Sequence, residues 1–209
     1  MKEKMKEEVT ALKKKMILQE AEKYIEEKGY QNFKINELSK LCGISVGALY
    51  QLFISKENLF YEYVLFQMEN FYKRLIKLCD GTSSPKERLL IYTKAKLQTF
   101  EEKGKTIQEH ITYDPLFILK LGNQNEAMNL MENFLAKEFE KLSYETPLKT
   151  DNYICLAYAY SAYILGFIKY YFQSNTKKEY NIEKLSSDIL DNFLNGHLAG
   201  VVKTFSKNF

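Results

Sequence analysis

The chain has 209 residues, of which 45% are hydrophobic and 27% charged, with a formal net charge of +3. That is the composition of a folded globular protein long enough to bury a sizeable core, and it argues against disorder. Three prolines and nine glycines are too few for a many-turned β protein, so long helices are expected. The small positive charge permits nucleic-acid binding without demanding it.

The opening segment MKEKMKEEVTALKKKM has no apolar core, so no secretory signal is expected and the reading is cytoplasmic. Residues 1–10 read as a flexible charged arm. From Lys13 to Lys28 the apolar positions Ile17, Ala21, Tyr24 and Ile25 fall at helical spacing, and Gly29 ends the helix. Ile35, Leu38, Leu41 and Cys42 mark a second helix closed by Gly43, where the left-handed backbone conformation is cheap. Ser45 is placed to cap a short third helix reaching Phe53, and Ser55 to cap a fourth. The stripe Phe60, Val64, Met68, Phe71, Leu75 and Leu78 carries that fourth helix for about six turns.

The break DGTSSP at 80–85 opens a helix expected to reach about Lys103. Gly104, Asp114-Pro115 and Gly122-Asn123 then punctuate two short helices. A longer one is expected from about Gln124 to Ser143. The uncharged run from Asn152 to Ile168 is too short and too polar to span a membrane and reads as a buried helix ending near Ser174. Ile182 to about Ser206 completes the set. The expected fold is all-α with about nine helices, and no strand alternation, hairpin dipeptide or internal repeat is visible.

Helix two, a glycine turn and helix three lie within about 20 residues, which is the helix-turn-helix arrangement, whose second helix enters the DNA major groove. Gly47 leaves room for close backbone approach. Tyr50 has a hydroxyl for a phosphate, and Leu49 and Phe53, four apart, face inward. Lys56 supplies a second phosphate anchor.

The stretch Ile17 to Phe60, ILQEAEKYIEEKGYQNFKINELSKLCGISVGALYQLFISKENLF, resembles the DNA-binding domain of the tetracycline-repressor (TetR) family of bacterial transcriptional regulators. Gly29-Tyr30, Ile35, Leu38, Gly43-Ile44-Ser45, Gly47, Leu49-Tyr50, Phe53 and Ser55-Lys56-Glu57 carry the likeness. The resemblance implies a homodimer on a palindromic operator, with residues 11–58 as DNA-binding domain. It makes residues 59–209 a helical ligand-binding and dimerisation domain. It implies that Ser45, Val46, Gly47 and Ala48 face bases, and that Tyr50, Gln51 and Lys56 hold phosphates, Gln51 also being able to read an adenine edge. Lys34 stands where many members have a capping Thr or Ser, so a direct phosphate contact is expected of it. Val46 replaces a polar residue and leaves only a thymine methyl to touch, so base readout should be sparse. Residues 1–58 hold 11 Lys and 9 Glu, a net of +2 against +1 for the remainder (19 basic, 18 acidic), a small excess on the DNA-binding side.

Pairing is expected through small residues on the last two long helices, Ala159, Ala162, Gly166, Gly196 and Gly200, which let helix axes approach closely. Sensing is expected among Phe100, His110, Tyr113, Phe117, Met131, Phe134, Tyr158 and Phe167, rings and a thioether suited to an apolar or aromatic ligand. No cluster has metal-ligand spacing, no nucleotide-binding glycine loop is present, and no cofactor is expected. Cys42, Cys79 and Cys155 read as small hydrophobes. A His110–Asp114 pair is one turn apart, but no nucleophile or oxyanion site accompanies it, so an enzyme is not expected. A protein-only helical adaptor leaves Gly47, Tyr50 and Lys56 together unexplained. Within the DNA-binding class, the alternative to a ligand-released repressor is an activator or a regulator without a small ligand.

Overall fold

A computed structural model describes the backbone of residues 1–29, 32–113, 126–146, 148, 150–173 and 181–197, with side chains for these except 104–113, 126–128, 171–173 and 196–197. Eight helices account for the described chain: α1 Lys2–Lys28, α2 Ile35–Leu41, α3 Val46–Leu52, α4 Lys56–Leu78, α5 Pro85–Tyr113, α6 Glu126–Glu145, α7 Tyr153–Gln173 and α8 Ile182–Asn192. A π-helical turn, Phe193–His197, follows α8. No strand occurs among the described residues.

The all-helical expectation holds, with two local differences. The charged segment 1–10 is not an arm outside the fold but the first turns of α1, which begins at Lys2. Alternating Lys and Glu are good helix formers, and the core contacts of Ile17 to Ile25 anchor the helix they extend. Gly104 does not end a helix: α5 runs through it to Tyr113, as an isolated interior glycine costs only about 1 kcal/mol. The short helix expected between Asp114 and Gly122 lies outside the described residues.

The chain divides into two compact units, Met1–Phe71 with Lys103–Ala127, and Tyr72–Glu102 with Met128–Phe209. The first unit has its own core of Ile17, Leu18, Ala21, Tyr24, Ile25, Phe33, Ile35, Leu38, Leu49, Phe53, Leu59, Phe60 and Tyr63. The two seven-residue helices α2 and α3, too short to be stable singly, are held by this shared burial. Lys103, the first residue of the first unit's α5 segment, binds Glu22 and Glu26 of α1 at 2.5 and 2.8 Å.

The second unit packs α5, α6, α7 and α8 around Tyr92, Tyr160, Phe139, Leu135, Ile164, Ile189 and Phe193. Tyr160 is its hub: Phe139 meets it edge-on at 5.5 Å, Phe193 tilts against it at 4.7 Å, and its hydroxyl bonds Thr93. Glu138, almost wholly buried, is compensated by Arg88 at 3.1 Å and Lys141 at 3.0 Å, as a buried carboxylate requires. The three cysteines are free thiols, and burial pushes those of Cys42 and Cys79 upward from the usual range. No described helix is long and apolar enough to cross a membrane.

Candidate nucleic-acid interface

The turn between α2 and α3 is built by backbone geometry. The Ile44 N–H donates to Ser39 O at 3.0 Å and the Gly43 N–H to Lys40 O at 3.1 Å. This 6→1 and 5→2 pair is the Schellman closure of a helix, and it places its closing residue, Gly43, at φ +65°. Space alone would admit a side chain at Gly43, since a Cβ there meets nothing within 4 Å. Conformation forbids it: an L side chain in that region costs about 1–2 kcal/mol. Ser45 then caps α3, its Oγ accepting the Ala48 N–H at 3.1 Å, as expected.

At the start of α2 the sequence offers no capping hydroxyl at Lys34, and the structure supplies one from elsewhere. The Tyr24 hydroxyl, on α1, accepts the Lys34 N–H at 3.3 Å and donates to Glu37 Oε2 at 2.6 Å. One buried ring thus ties α1 to the first turn of α2. Tyr24 was legible only as a core position, because its helical spacing hides what its tip does. The Lys34 ammonium itself is exposed, 3.8 Å from Glu37.

Leu49 and Phe53 are fully buried, which fixes the face α3 turns outward. Ser45, Gly47, Tyr50 and Gln51 are exposed on it, with Tyr50 44% exposed. Val46 and Ala48 are only half-exposed, and Val46 packs in part against the core cluster. Their expected share in base contact is therefore reduced. Sequence reasoning passed over Ile54, which is 87% exposed immediately after Phe53. Ser55 caps α4 by accepting the Asn58 N–H at 3.0 Å. The Glu57 carboxyl is held below its usual range by its own backbone N–H and the Ser55 hydroxyl. Lys56 Nζ lies 5.6 Å from the centre of the Phe33 ring, so the stem is positioned against the core while the charge stays at the rim. Of the lysines at 13 to 15, Lys14 is occupied, 2.7 Å from Glu62 and over the Phe53 ring at 5.1 Å.

Gly47 stands apart from Gly43. It has ordinary helical φ, and a Cβ built on it meets only Ser45 Oγ at 3.9 Å. Nothing among the described residues asks for glycine there, although glycine weakens a helix by up to about 1 kcal/mol.

In the second unit, α7 shows an outward face of Ile154, Tyr158, Ala162, Leu165, Gly166 and Tyr170. Ala162 and Gly166 of the expected pairing set lie on it, and Ala159 is half-buried beside it. Gly196 is at the edge of the described backbone and Gly200 lies outside the described residues. Of the expected sensing residues, Met131 and Phe134 are buried and Phe100 and Phe167 half-buried. Tyr158 departs from the expectation: four-residue spacing puts it between Ile154 and Ala162 on the exposed face, 49% open. The side chains of His110 and Tyr113, and all of Phe117, lie outside the described residues.

A sequence profile of "Bacterial regulatory proteins, tetR family" matches residues 17–63. The chain is 32% identical over 74 residues to the uncharacterized HTH-type transcriptional regulator YuxN of Bacillus subtilis (strain 168), a match spanning 35% of this chain and 25% of that one. Among solved structures it is similar to the transcriptional regulator FadR from Bacillus subtilis in complex with stearoyl-CoA, with 19% identity and a TM-score of 0.65. That likeness covers 86% of this chain and 97% of the other. A second is the Thermus thermophilus FadR repressor in complex with lauroyl-CoA, with 16% identity, a TM-score of 0.65 and coverage of 88% and 95%. These likenesses carry the all-helical fold beyond the stretch the profile matches. Residues 17–63 thus match the helix-turn-helix part of the tetR family of bacterial regulatory proteins, and the solved structures extend the likeness in fold over the described chain.

Proposed function

We propose that the protein is a ligand-responsive repressor that binds a palindromic operator as a homodimer and is released by a small apolar or aromatic ligand. One observation carries the DNA-binding part: Gly47 is an exposed helical glycine with no internal reason to be glycine. The body that needs its missing Cβ lies outside the chain, and on this face a DNA edge is that body. Ser45, Tyr50 and Gln51 flank it, and Lys34 and Lys56 stand as the phosphate-holding cations; Val46 and Ala48 reach the bases only with their outer atoms. The Ser45 hydroxyl accepts a cap bond yet keeps its proton, which is free to go to a phosphate oxygen.

Pairing is assigned to the outward face of α7, where Ala162 and Gly166 let a partner helix approach and Ile154, Tyr158 and Leu165 supply apolar area. The ligand is assigned to the helices of residues 59–209, around Met131, Phe134, Phe100 and Phe167. The acyl chains held by the two FadR regulators support an apolar effector with a long hydrocarbon part. Such a ligand changes DNA affinity only by preferring one arrangement of the protein, and DNA must weaken ligand binding by the same factor.

The test is footprinting on the DNA flanking the protein's own gene, followed by thermal-shift screening with acyl thioesters and aromatic compounds. A protected two-fold site, given up when a stabilising compound is added, is the expected result. Protection only of random sequence, or a site untouched by every stabilising compound, contradicts the DNA part or the ligand part respectively.

A further inference from the structure

The N-terminal half of α1 carries an apolar stripe that its own fold does not use. Met5, Val9, Leu12 and Met16 are each at least half exposed. Their spacings of four, three and four residues are those of alternating d and a positions in a heptad repeat. At about 100° per residue the stripe is centred roughly 135° around the helix from Ile17, Ala21, Tyr24 and Ile25, which face the core. It is therefore not a continuation of the core face but a second face turned away from it. The helix that bears it is already ordered, because its C-terminal half is anchored by those buried residues, so the nucleation cost that makes short helices marginal is met before any partner arrives.

The flanks say what the partner is. With Val9 and Met16 at a, and Met5 and Leu12 at d, the e positions are Lys6, Lys13 and Glu20, and the g positions include Glu8 and Lys15. In a parallel in-register pair each g faces the next e of the partner. That sets Glu8 against Lys13 and Lys15 against Glu20, opposite charges both times, with Glu20 also holding Lys23 of its own helix at 2.6 Å. An antiparallel pair sets e against e and g against g, so the attraction of Glu8 for Lys15 is offset by the repulsion between Lys6 and Lys13. The pattern is complementary to itself in one orientation.

We infer that the exposed stripe of α1 joins a second copy of this chain through a short parallel coiled coil over residues 5–16, an interaction surface separate from the α7 face. Because the stripe is turned away from the core face of α1, pairing through it leaves the core contacts of each helix-turn-helix part in place. Two apolar heptad layers make a weak contact, populated where copies are concentrated, as on neighbouring DNA sites. Two self-pairing surfaces on one chain allow assemblies larger than a dimer.

The experiment uses the full chain with single cysteines added, the parent protein being the blank for Cys42, Cys79 and Cys155. Leu12→Cys places thiols opposite each other in the parallel register, whereas Ala11→Cys, about 130° off the stripe, does not. Under mild oxidation Leu12→Cys should cross-link at least tenfold faster than Ala11→Cys. In sedimentation, Lys13→Glu should diminish the concentration-dependent species beyond the dimer, and Glu8→Lys added to it should restore them. Equal cross-linking at positions 11 and 12, or no restoration in the double variant, overturns the proposal. Equal cross-linking together with loss of DNA affinity in Leu12→Glu also overturns it, and gives the stripe to DNA instead. All three readouts on the free protein are independent of operator binding, so they fail or succeed apart from the proposed regulatory function.

Discussion

Two exposed helix faces in this protein are opposites. The outward face of α3 is thin and polar: Ser45, Gly47, Tyr50 and Gln51, with Lys56 at its edge. The outward face of α7 is broad and apolar: Ile154, Tyr158, Ala162, Leu165, Gly166 and Tyr170. Both contain a helical glycine in open space, Gly47 and Gly166. The surroundings decide what the absent side chain is for. Beside hydroxyls, an amide and an ammonium we propose that it admits a polyanion, whose binding weakens with salt as counterions are released. Beside aliphatic and aromatic carbon we propose that it admits another helix, whose binding releases no condensed counterions and follows apolar area.

The contrast can be broken most forcefully on α7. Leu165→Glu would place an unpaired charge in the pairing face, costing on the order of 4 kcal/mol of association and leaving monomers at micromolar concentration in sedimentation. Helicity by circular dichroism should be unchanged, since Leu165 is outside the core. Ala162→Leu tests the same face by bulk, costing about 1–3 kcal/mol. Either variant remaining dimeric would move the interface away from α7.

On α3 the effects are smaller and carry a salt signature. Tyr50→Phe and Lys56→Ala should each weaken specific and random DNA alike, by about 1 kcal/mol, with dimer mass preserved. For the parent dimer the log–log salt slope should be roughly −5 to −8, and Lys56→Ala should flatten it by about two, one contact per protomer. The smallest expected change on DNA comes from Tyr24→Phe, which touches neither face. It removes the bond to Glu37 and leaves the Lys34 N–H without its acceptor. Urea denaturation should show about 1–2 kcal/mol lost, with the dimer intact.

Much of this was readable from the residues. The spacing of Ile17, Ala21, Tyr24 and Ile25, the stop at Gly43, the caps at Ser45 and Ser55 and the burial of Leu49 and Phe53 all follow from local rules that the structure obeys. What was not readable depends on contacts distant in sequence. Tyr24 caps a helix ten residues away, which no spacing rule encodes. Val46 is drawn partly into the core although it sits among exposed neighbours. The passage of α5 through Gly104 shows a weak local breaker overridden by the helix on either side. On α7, aromatic content suggested a ligand role for Tyr158, but periodicity counted from Ile154 puts that ring outside.

The central claim is that the α3 face exists to meet DNA, and Gly47→Ala tests it most directly because fold and function should move in opposite directions. The added methyl has room and favours the helix, so thermal stability should stay level or rise by up to about 1 kcal/mol. Affinity for the footprinted operator, measured by fluorescence anisotropy at fixed salt, should nevertheless fall at least tenfold, as the methyl stands between the backbone and the groove. A variant that is more stable and binds the operator as tightly as the parent would contradict the account.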